Sequence, residues 1–488
     1  MDSSSPQPGD GQGPGRPWQP CPGICYSVLM SRSATPPALV LFITTVSSFA
    51  IAFSSSSVNI ALPPIGLEFH LGGVVLNWIA TSFLLTSAAL VLPLGRLGDL
   101  HGRQRIFFVG MALFALMSGA SALMSDANGL LAARALTGIG AAMAFGTSTA
   151  VLVAAYPSEQ RGRILGINVA FVYIGVSAGP VLGGLLVQAF GWRSLFWCHA
   201  ALSVFVVLLM AFWLRGDDRH RHEGHFDVVG TVLYAVGLSL LLGGFSNLPR
   251  PLGIGLSAGG LALLAGFLVF ESRSASPIVP VTLFTKNRTF AFSNLAAMIS
   301  YSATFAVSFF LSLHLEVVLG LTPGMAGAIL ITQPLVQAVA SPLAGRLSDR
   351  VSPGLLASTG MAVTVIGLAM LAFLDQNTPM AWIFTALALL GLGFGLFSSP
   401  NTNAIMGAVE KKDLGLASAT VSTMRMVGQM LSMGLALVLL SVLLGDQPVH
   451  TAVPAFLEAQ RWGFGASAVL CLVGILASMA RGPSKQRN

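Results

Sequence analysis

Three charged side chains fall inside long apolar stretches of this chain: Arg134, Glu316 and Arg425. A charge in hydrocarbon costs about 2.5–3.5 kcal/mol on insertion scales, so each needs a partner, a wet cavity or a task. Glu316 stands in Leu313-His314-Leu315-Glu316, at the outer edge of its stretch, and is the one carboxylate near a stretch that could titrate. Its plainer reading is a solvated side chain at headgroup level. Arg425 could hold an anionic group or only tie polar neighbours such as Gln429. Around these charges lie neutral polar residues at the same depth: Ser54, Ser55, Ser57, Asn59, Asn168, Tyr173, Asn294, Gln333, Gln337, Asn401 and Asn403. Each alone is more often an interhelical hydrogen bond than a ligand contact. Two buried arginines against one marginal carboxylate leave an enclosed cavity net positive, which favours neutral or anionic occupants over cations.

Bond-making chemistry has no comparable foothold. The chain has no G-x-x-x-x-G-K-[ST] phosphate loop, no H-E-x-x-H and no G-x-S-x-G, so ATP binding, zinc hydrolysis and acyl transfer lack their usual parts. His220, His222 and His225 sit together in a charged loop, where a solvated segment outweighs a metal site. Cys21 and Cys25 lie in a Pro/Gly-rich tail, and with Cys198 and Cys471 they make no disulfide framework. No enzyme activity, cofactor or metal is expected.

The elements that position these residues follow from composition. Of 488 residues, 54% are apolar and only 9% are Asp, Glu, Lys or Arg, against about 25% charged in soluble domains. With a mean hydropathy of +0.79, such a chain cannot cover a water-facing surface, which excludes a cytosolic enzyme, a coiled coil and a single-span receptor. A bilayer core of about 30 Å takes about 20 apolar residues per helix, and the chain holds fourteen such stretches. The thirteenth (415–444) is long enough to tilt or break, and the last is expected at 463–480. Residues 1–36 read as a disordered tail without the features of a signal peptide, and Met30 is a candidate start. Of the 25 Lys and Arg residues, 20 fall in tails or loops on the side of the termini. Three (Arg193, Arg250, Arg461) fall on the other side. The positive-inside rule then puts both termini in the cytoplasm of a multi-pass protein of the inner or plasma membrane. The scattered charge of +7 offers nothing for nucleic acid to bind.

Two loops repeat. Gly95-Arg-Leu-Gly-Asp99 follows stretch 2 and Gly345-Arg-Leu-Ser-Asp349 follows stretch 10, so stretches 1–6 and 9–14 read as two copies of a six-helix unit. The first loop continues Leu100-His-Gly102-Arg103-Gln-Arg105 and resembles the G-x-L-a-D-r-x-G-r-k loop of the major facilitator superfamily. That resemblance implies a cytoplasmic latch built from Gly95, Asp99, Gly102 and Arg103; the plainer reading is a positive-inside anchor. Arg134-Ala-Leu-Thr137-Gly138-Ile-Gly140 resembles the R-x-x-q-G-x-G segment of drug:proton antiporters, with Thr137 in place of Gln. Gly175-Val-Ser-Ala-Gly179-Pro180-Val-Leu-Gly183-Gly184 is similar to the antiporter signature of the exporters in that superfamily. Its glycines at i, i+4 and i+8 make a flat face for a close helix crossing, expected between the two bundles. Trp192-Arg193, Phe226-Asp227-Val-Val-Gly230, Glu271-Ser-Arg273 and Gly391-Leu-Gly393-Phe-Gly395 extend the resemblance to the fourteen-helix drug:proton antiporters over residues 38–480.

The resemblance implies an all-α polytopic membrane protein of the major facilitator fold: two six-helix bundles plus two inserted helices. The expected domains are a tail (1–36), an N-terminal bundle (37–214), a loop with two linker helices (215–290), a C-terminal bundle (291–481) and a short tail (482–488). It implies proton-coupled efflux of small amphipathic compounds by alternating access, in a protein expected to be a monomer. One departure matters. Ser54 stands where the family's first helix carries a candidate proton-carrying Asp, although Asn59 and Pro63 are kept. The substrate and proton path is expected to draw on Ser54, Asn59, Arg134, Glu316, Gln333, Gln337, Asn401 and Arg425. Ser54 leaves open the alternative of a specific metabolite or organic-anion transporter without proton coupling. A transporter-like receptor is a further rival, disfavoured by the lack of a soluble sensor domain.

Overall fold

The computed structural model describes residues 35–71, 73–213, 226–245, 250–274, 277–278, 281–445, 447, 449 and 451–481. The His220–His225 loop, Cys21, Cys25, the last tail and nearly all of the first lie outside them. The described residues form helices and connecting turns without a strand, and fourteen helices are long and apolar enough to span a membrane. Helices dominate because a bilayer offers the backbone no water, so each span must satisfy its own N–H and C=O groups.

The first six are α1 (Pro37–Phe69), α2 (Trp78–His101), α3 (Arg103–Leu123), α4 (Ala127–Ala154), α5 (Ser158–Phe190) and α6 (Arg193–Trp213). A hairpin follows, α7 (Val228–Phe245) and α8 (Pro251–Glu271). The last six are α9 (Arg288–Val318), α10 (Gly324–Ser348), α11 (Pro353–Ala372), α12 (Met380–Gly407), α13 (Lys411–Leu444) and α14 (Val453–Met479). Within the first bundle α1 packs on α5, α2 and α3 on α4, and α3 on α6. The second bundle repeats this helix for helix: α9 on α13, α10 and α11 on α12, α11 on α14. The sequence repeat is thus also a repeat of packing.

The bundles meet along two seams that are themselves a repeat, α5 against α10 and α13 against α2. The α7–α8 hairpin covers the second seam. Its Tyr234, Leu238 and Leu241 share an apolar core with Val91 and Leu92 of α2 and Leu416 and Ala419 of α13. The Tyr234 hydroxyl also lies 3.3 Å from Thr423 Oγ1.

Breaks and ends fall differently from expectation in four spans. α13 runs unbroken over Leu414–Leu444, and it is α9 that breaks, into Arg288–Thr304, Val307–Leu313 and a π-helical turn at His314–Val318. At the break the Ala306 N–H donates instead to Ser432 Oγ of α13, at 2.9 Å. α10 is interrupted at Ile331, where Pro334 can give no N–H to the carbonyl of Leu330 and its ring crowds it. α14 begins at Val453, ten residues before the expected start, so Arg461 lies within the helix and not ahead of it.

Candidate functional site

At the end of the molecule that carries most of the basic residues, each bundle grips the other through an aspartate. Gly95 is needed for the approach, because a Cβ there would run into Ala419 and the main chain of Gly415. Gly102, at φ +103°, turns the chain from α2 into α3. Asp99, buried at 2% exposure, accepts three hydrogen bonds: from Arg103 Nε at 2.7 Å, and from the amides of Gly415 at 3.1 Å and Leu416 at 2.8 Å. Those amides open the helix of α13, so the carboxylate sits on a helix N-terminus and meets its positive dipole. Arg103 Nη2 donates onward to the carbonyls of Lys411 and Lys412, both at 2.7 Å.

The mirror contact lies across the other seam. Asp349 accepts from the amides of Gly162 at 2.7 Å and Arg163 at 3.0 Å, at the start of α5. Gly345 and Gly162 face each other with no room for a side chain, and Ser399 Oγ donates to the Gly162 carbonyl at 3.2 Å. The sequence offered Asp349 only as part of a repeat. Its place as a second clasp follows once the two bundles are related helix for helix. Burial holds its carboxyl above the ordinary Asp value, more than the two amides pull it down.

Between the bundles lies a cavity of about 50 Å³. Hydroxyls line it from both bundles (Ser48 and Ser148 from one, Thr402 and Ser422 from the other), with the amide of Asn168 and the guanidinium of Arg425. Arg425 lies over the Phe145 ring of the opposite bundle, 4.8 Å from its centroid. Tyr173 and Tyr301 bound the cavity, and both rings stand edge-on to Phe394, at 5.9 and 5.1 Å. Gln337, 2% exposed, is a neighbour of the Tyr173 phenol, and its Nε2 has no hydrogen-bond partner.

The other expected path residues are not brought together. Arg134 lies at 1% exposure inside the first bundle, 4.6 Å above the Phe83 ring, with Nε 3.4 Å from the Ile79 carbonyl. Ser54 is fully buried there and its Oγ has no partner. One turn on, Ser57 Oγ lies 3.1 Å from Nε2 of His199, a fully buried side chain of α6. His199 is not among the Asp, Glu, Lys and Arg residues that mark charge in an apolar stretch. A lone imidazole in an apolar helix was the available signal. Asn59 lies on an exposed face of α1. Glu316 occupies the π turn at the C-terminal end of α9, half-buried, and accepts from Ser312 Oγ at 2.7 Å. Gln333 offers its main-chain carbonyl to the close crossing at Gly391. Asn401 Nδ2 donates to the Ser293 carbonyl at 3.1 Å, inside the second bundle.

The glycine signature of α5 is not an inter-bundle contact. A Cβ on Gly175 would fall 2.7 Å from the Phe49 carbonyl, and on Gly183 2.9 Å from Ser57 Cβ; Gly179 lies against Ser56. All three belong to the α1–α5 crossing within one bundle. Pro180 is exposed and Gly184 has nothing near its missing side chain. The glycines of α5 that meet the other bundle are Gly162 and Gly166, which press on Gly345 and on Ser341 and Pro342.

The sequence model of the Major Facilitator Superfamily matches residues 44–227 and 293–488. The riboflavin transporter RibZ of Clostridioides difficile is 27% identical over 90% of this chain and 96% of its own length. The multidrug resistance protein Stp of Mycobacterium tuberculosis is 31% identical over 80% of this chain and 73% of its own. The cephamycin export protein CmcT of Amycolatopsis lactamdurans is 32% identical over 83% and 85%. Among solved structures, the human organic anion transporter MFSD10 (TETRAN) superposes with a TM-score of 0.66, over 91% of this chain and 99% of its own, at 13% identity.

Proposed function

The chain belongs to the Major Facilitator Superfamily and is a multi-pass membrane transporter, and we propose that it exports small amphipathic compounds by alternating access, driven by proton entry. The observation that carries this reading is the pair of aspartate clasps. Each joins the loop end of one bundle to a helix start of the other, and both lie on the basic end that the positive-inside rule assigns to the cytoplasm. Two such contacts, both broken when the bundles rock apart, define a state closed toward the cytoplasm with the cavity above it.

In this cycle Gly95, Gly162 and Gly345 let the bundles close, and Asp99 with Arg103 and Asp349 hold them. Substrate occupies the cavity at Arg425, Asn168 and Tyr173, with Gln337 beside the Tyr173 phenol. Proton entry down 100 mV releases about 2.3 kcal/mol, enough for a roughly 50-fold gradient of a neutral solute. With Ser54 in α1, Glu316 is the carboxylate left to carry that proton from the outer side. Export rather than uptake is supported by relatives that carry export and multidrug resistance in their names.

The test is accumulation in cells. Expression should lower the steady-state content of a fluorescent amphipathic compound, and a protonophore, which collapses both the pH gradient and the membrane potential, should restore it. Equal accumulation with and without the protein, across several unrelated compounds, would remove the export reading.

A further inference from the structure

We infer that the cavity between the bundles is built for an organic monoanion with an aromatic body, its carboxylate or sulfonate held by Arg425. This rests on the export reading for direction but not for the chemistry of the site.

Among the described residues, Arg425 is the only charged one that lines the cavity. The other polar groups there are hydroxyls, phenols and one amide. Among the described residues Arg425 makes no ion pair, unlike Arg103 with Asp99, Arg193 with Glu68 and Lys412 with Glu410, all elsewhere. It lies about 17 Å along its helix from Leu414, at 1.5 Å per residue, and so near mid-membrane. A guanidinium at that depth without a counter-charge is costly. Here the cost is met in part by the Phe145 face and by opening onto the cavity. The remaining way to offset it is an anion that arrives from outside the protein. A guanidinium also presents donors in a planar fork that fits a carboxylate or sulfonate better than a single-point acceptor.

The size of the cavity limits what enters whole. An engineered apolar cavity of about 150 Å³ binds benzene, so about 50 Å³ has room for an acidic group and not for a ring. The ring of the substrate is therefore admitted only when the bundles rock apart, between Tyr173 of one bundle and Tyr301 of the other, whose rings stand edge-on to Phe394 in the closed arrangement. Ser422 can donate to a further acceptor oxygen, whereas Ser48 and Asn168 are already tied to each other and Asn168 to the Thr44 carbonyl. Charge also favours this class energetically. An anion leaving a cell with a negative interior moves charge in the same sense as a proton entering, so both draw on the membrane potential.

The probes are naphthalene-2-carboxylate, naphthalene-2-carboxamide and 2-naphthylmethylammonium, measured by calorimetry on the purified full chain in nanodiscs at pH 7.5. The carboxylate should bind at least tenfold tighter than the amide, and the ammonium weakest. Arg425→Gln should weaken the carboxylate by about 10- to 100-fold, as for loss of hydrogen bonds to a charged group, and leave the amide within about threefold. Arg425→Lys should keep a preference for the carboxylate and guards against a folding defect. Equal or tighter binding of the ammonium, a carboxylate preference that survives Arg425→Gln, or no binding of any probe to wild type at millimolar concentration would overturn the assignment. Flux is measured separately on the same preparation. Carboxylate binding that depends on Arg425, without export, would sink the export reading and leave the anion site standing.

Discussion

Replacing Asp99 by Asn should open the cytoplasmic side without unfolding the protein. The carboxylate is buried and accepts three hydrogen bonds, two of them from the first amides of the α13 helix. Hydrogen bonds to a charged group contribute about 1.5–3 kcal/mol each, and a charge at a helix end up to about 2 kcal/mol in partly buried geometry. These terms overlap, and desolvation of the carboxylate offsets part of them. Asn keeps one acceptor oxygen of the two, so about 3 kcal/mol of the clasped state is lost, the low end for breaking a buried pair. That shifts the closed-to-open ratio on the order of 100-fold. A reporter is Thr402→Cys, which lines the cavity, in a chain with Cys21, Cys25, Cys198 and Cys471 changed to Ser. Labelling by an impermeant maleimide from the cytoplasmic side should accelerate on that scale in Asp99→Asn, with export impaired and the thermal midpoint little changed. A labelling rate within about threefold of the parent, or normal export, would show that the loop is only an anchor.

The second clasp has a pH sign of its own. Because burial raises the Asp349 carboxyl above its ordinary value, the clasped state holds a proton more tightly than the opened one. Closure should therefore strengthen as pH falls toward the ordinary Asp value of 3.8 and weaken as pH rises through the raised value; the same cysteine reporter reads this, and Asp349→Asn should flatten the curve. Two glycines of α5 should fail differently. Gly179→Leu clashes with Ser56 inside one bundle and should lower thermal stability by several kcal/mol, as overpacking and backbone displacement do. Gly162→Leu strikes the Gly345 main chain of the other bundle, so it should leave the midpoint nearly intact and hold the cytoplasmic side open to label. Glu316→Gln keeps an oxygen for Ser312 and should remove the pH dependence of export while leaving substrate binding unchanged; persistence of pH-driven export would place the proton elsewhere, with His199 the next residue to replace.

What could be read from the sequence was what depends on one helix at a time. Apolar length gave fourteen spans, and the paired Gly95–Asp99 and Gly345–Asp349 loops gave the repeat that the helix packing then displays. What failed depends on which helix lies opposite. A flat glycine face on α5 announces a close crossing, but Gly175 and Gly179 contain nothing to say that the neighbour is α1 of the same bundle and not a helix of the other. Arg134 and Arg425 look alike as charges in apolar helices. Only packing separates an arginine enclosed by Phe83 and Phe196 from one that faces a cavity. The break in α9 was hidden for the same reason, because the acceptor that makes it tolerable, Ser432, comes from another helix.

The central claim is that this chain moves small compounds outward at the expense of a proton gradient. Purified protein in proteoliposomes, equilibrated with the naphthalene carboxylate at equal concentration on both sides and subjected to a pH jump at clamped membrane potential, tests it directly. Substrate is expected to move up its gradient, against the direction of the imposed proton flux, the movement to stop when nigericin collapses the pH difference, and Asp99→Asn to impair it. Flux that merely follows the substrate gradient, at a rate indifferent to the pH difference in both wild type and Glu316→Gln, would contradict it and leave an uncoupled anion transporter in its place.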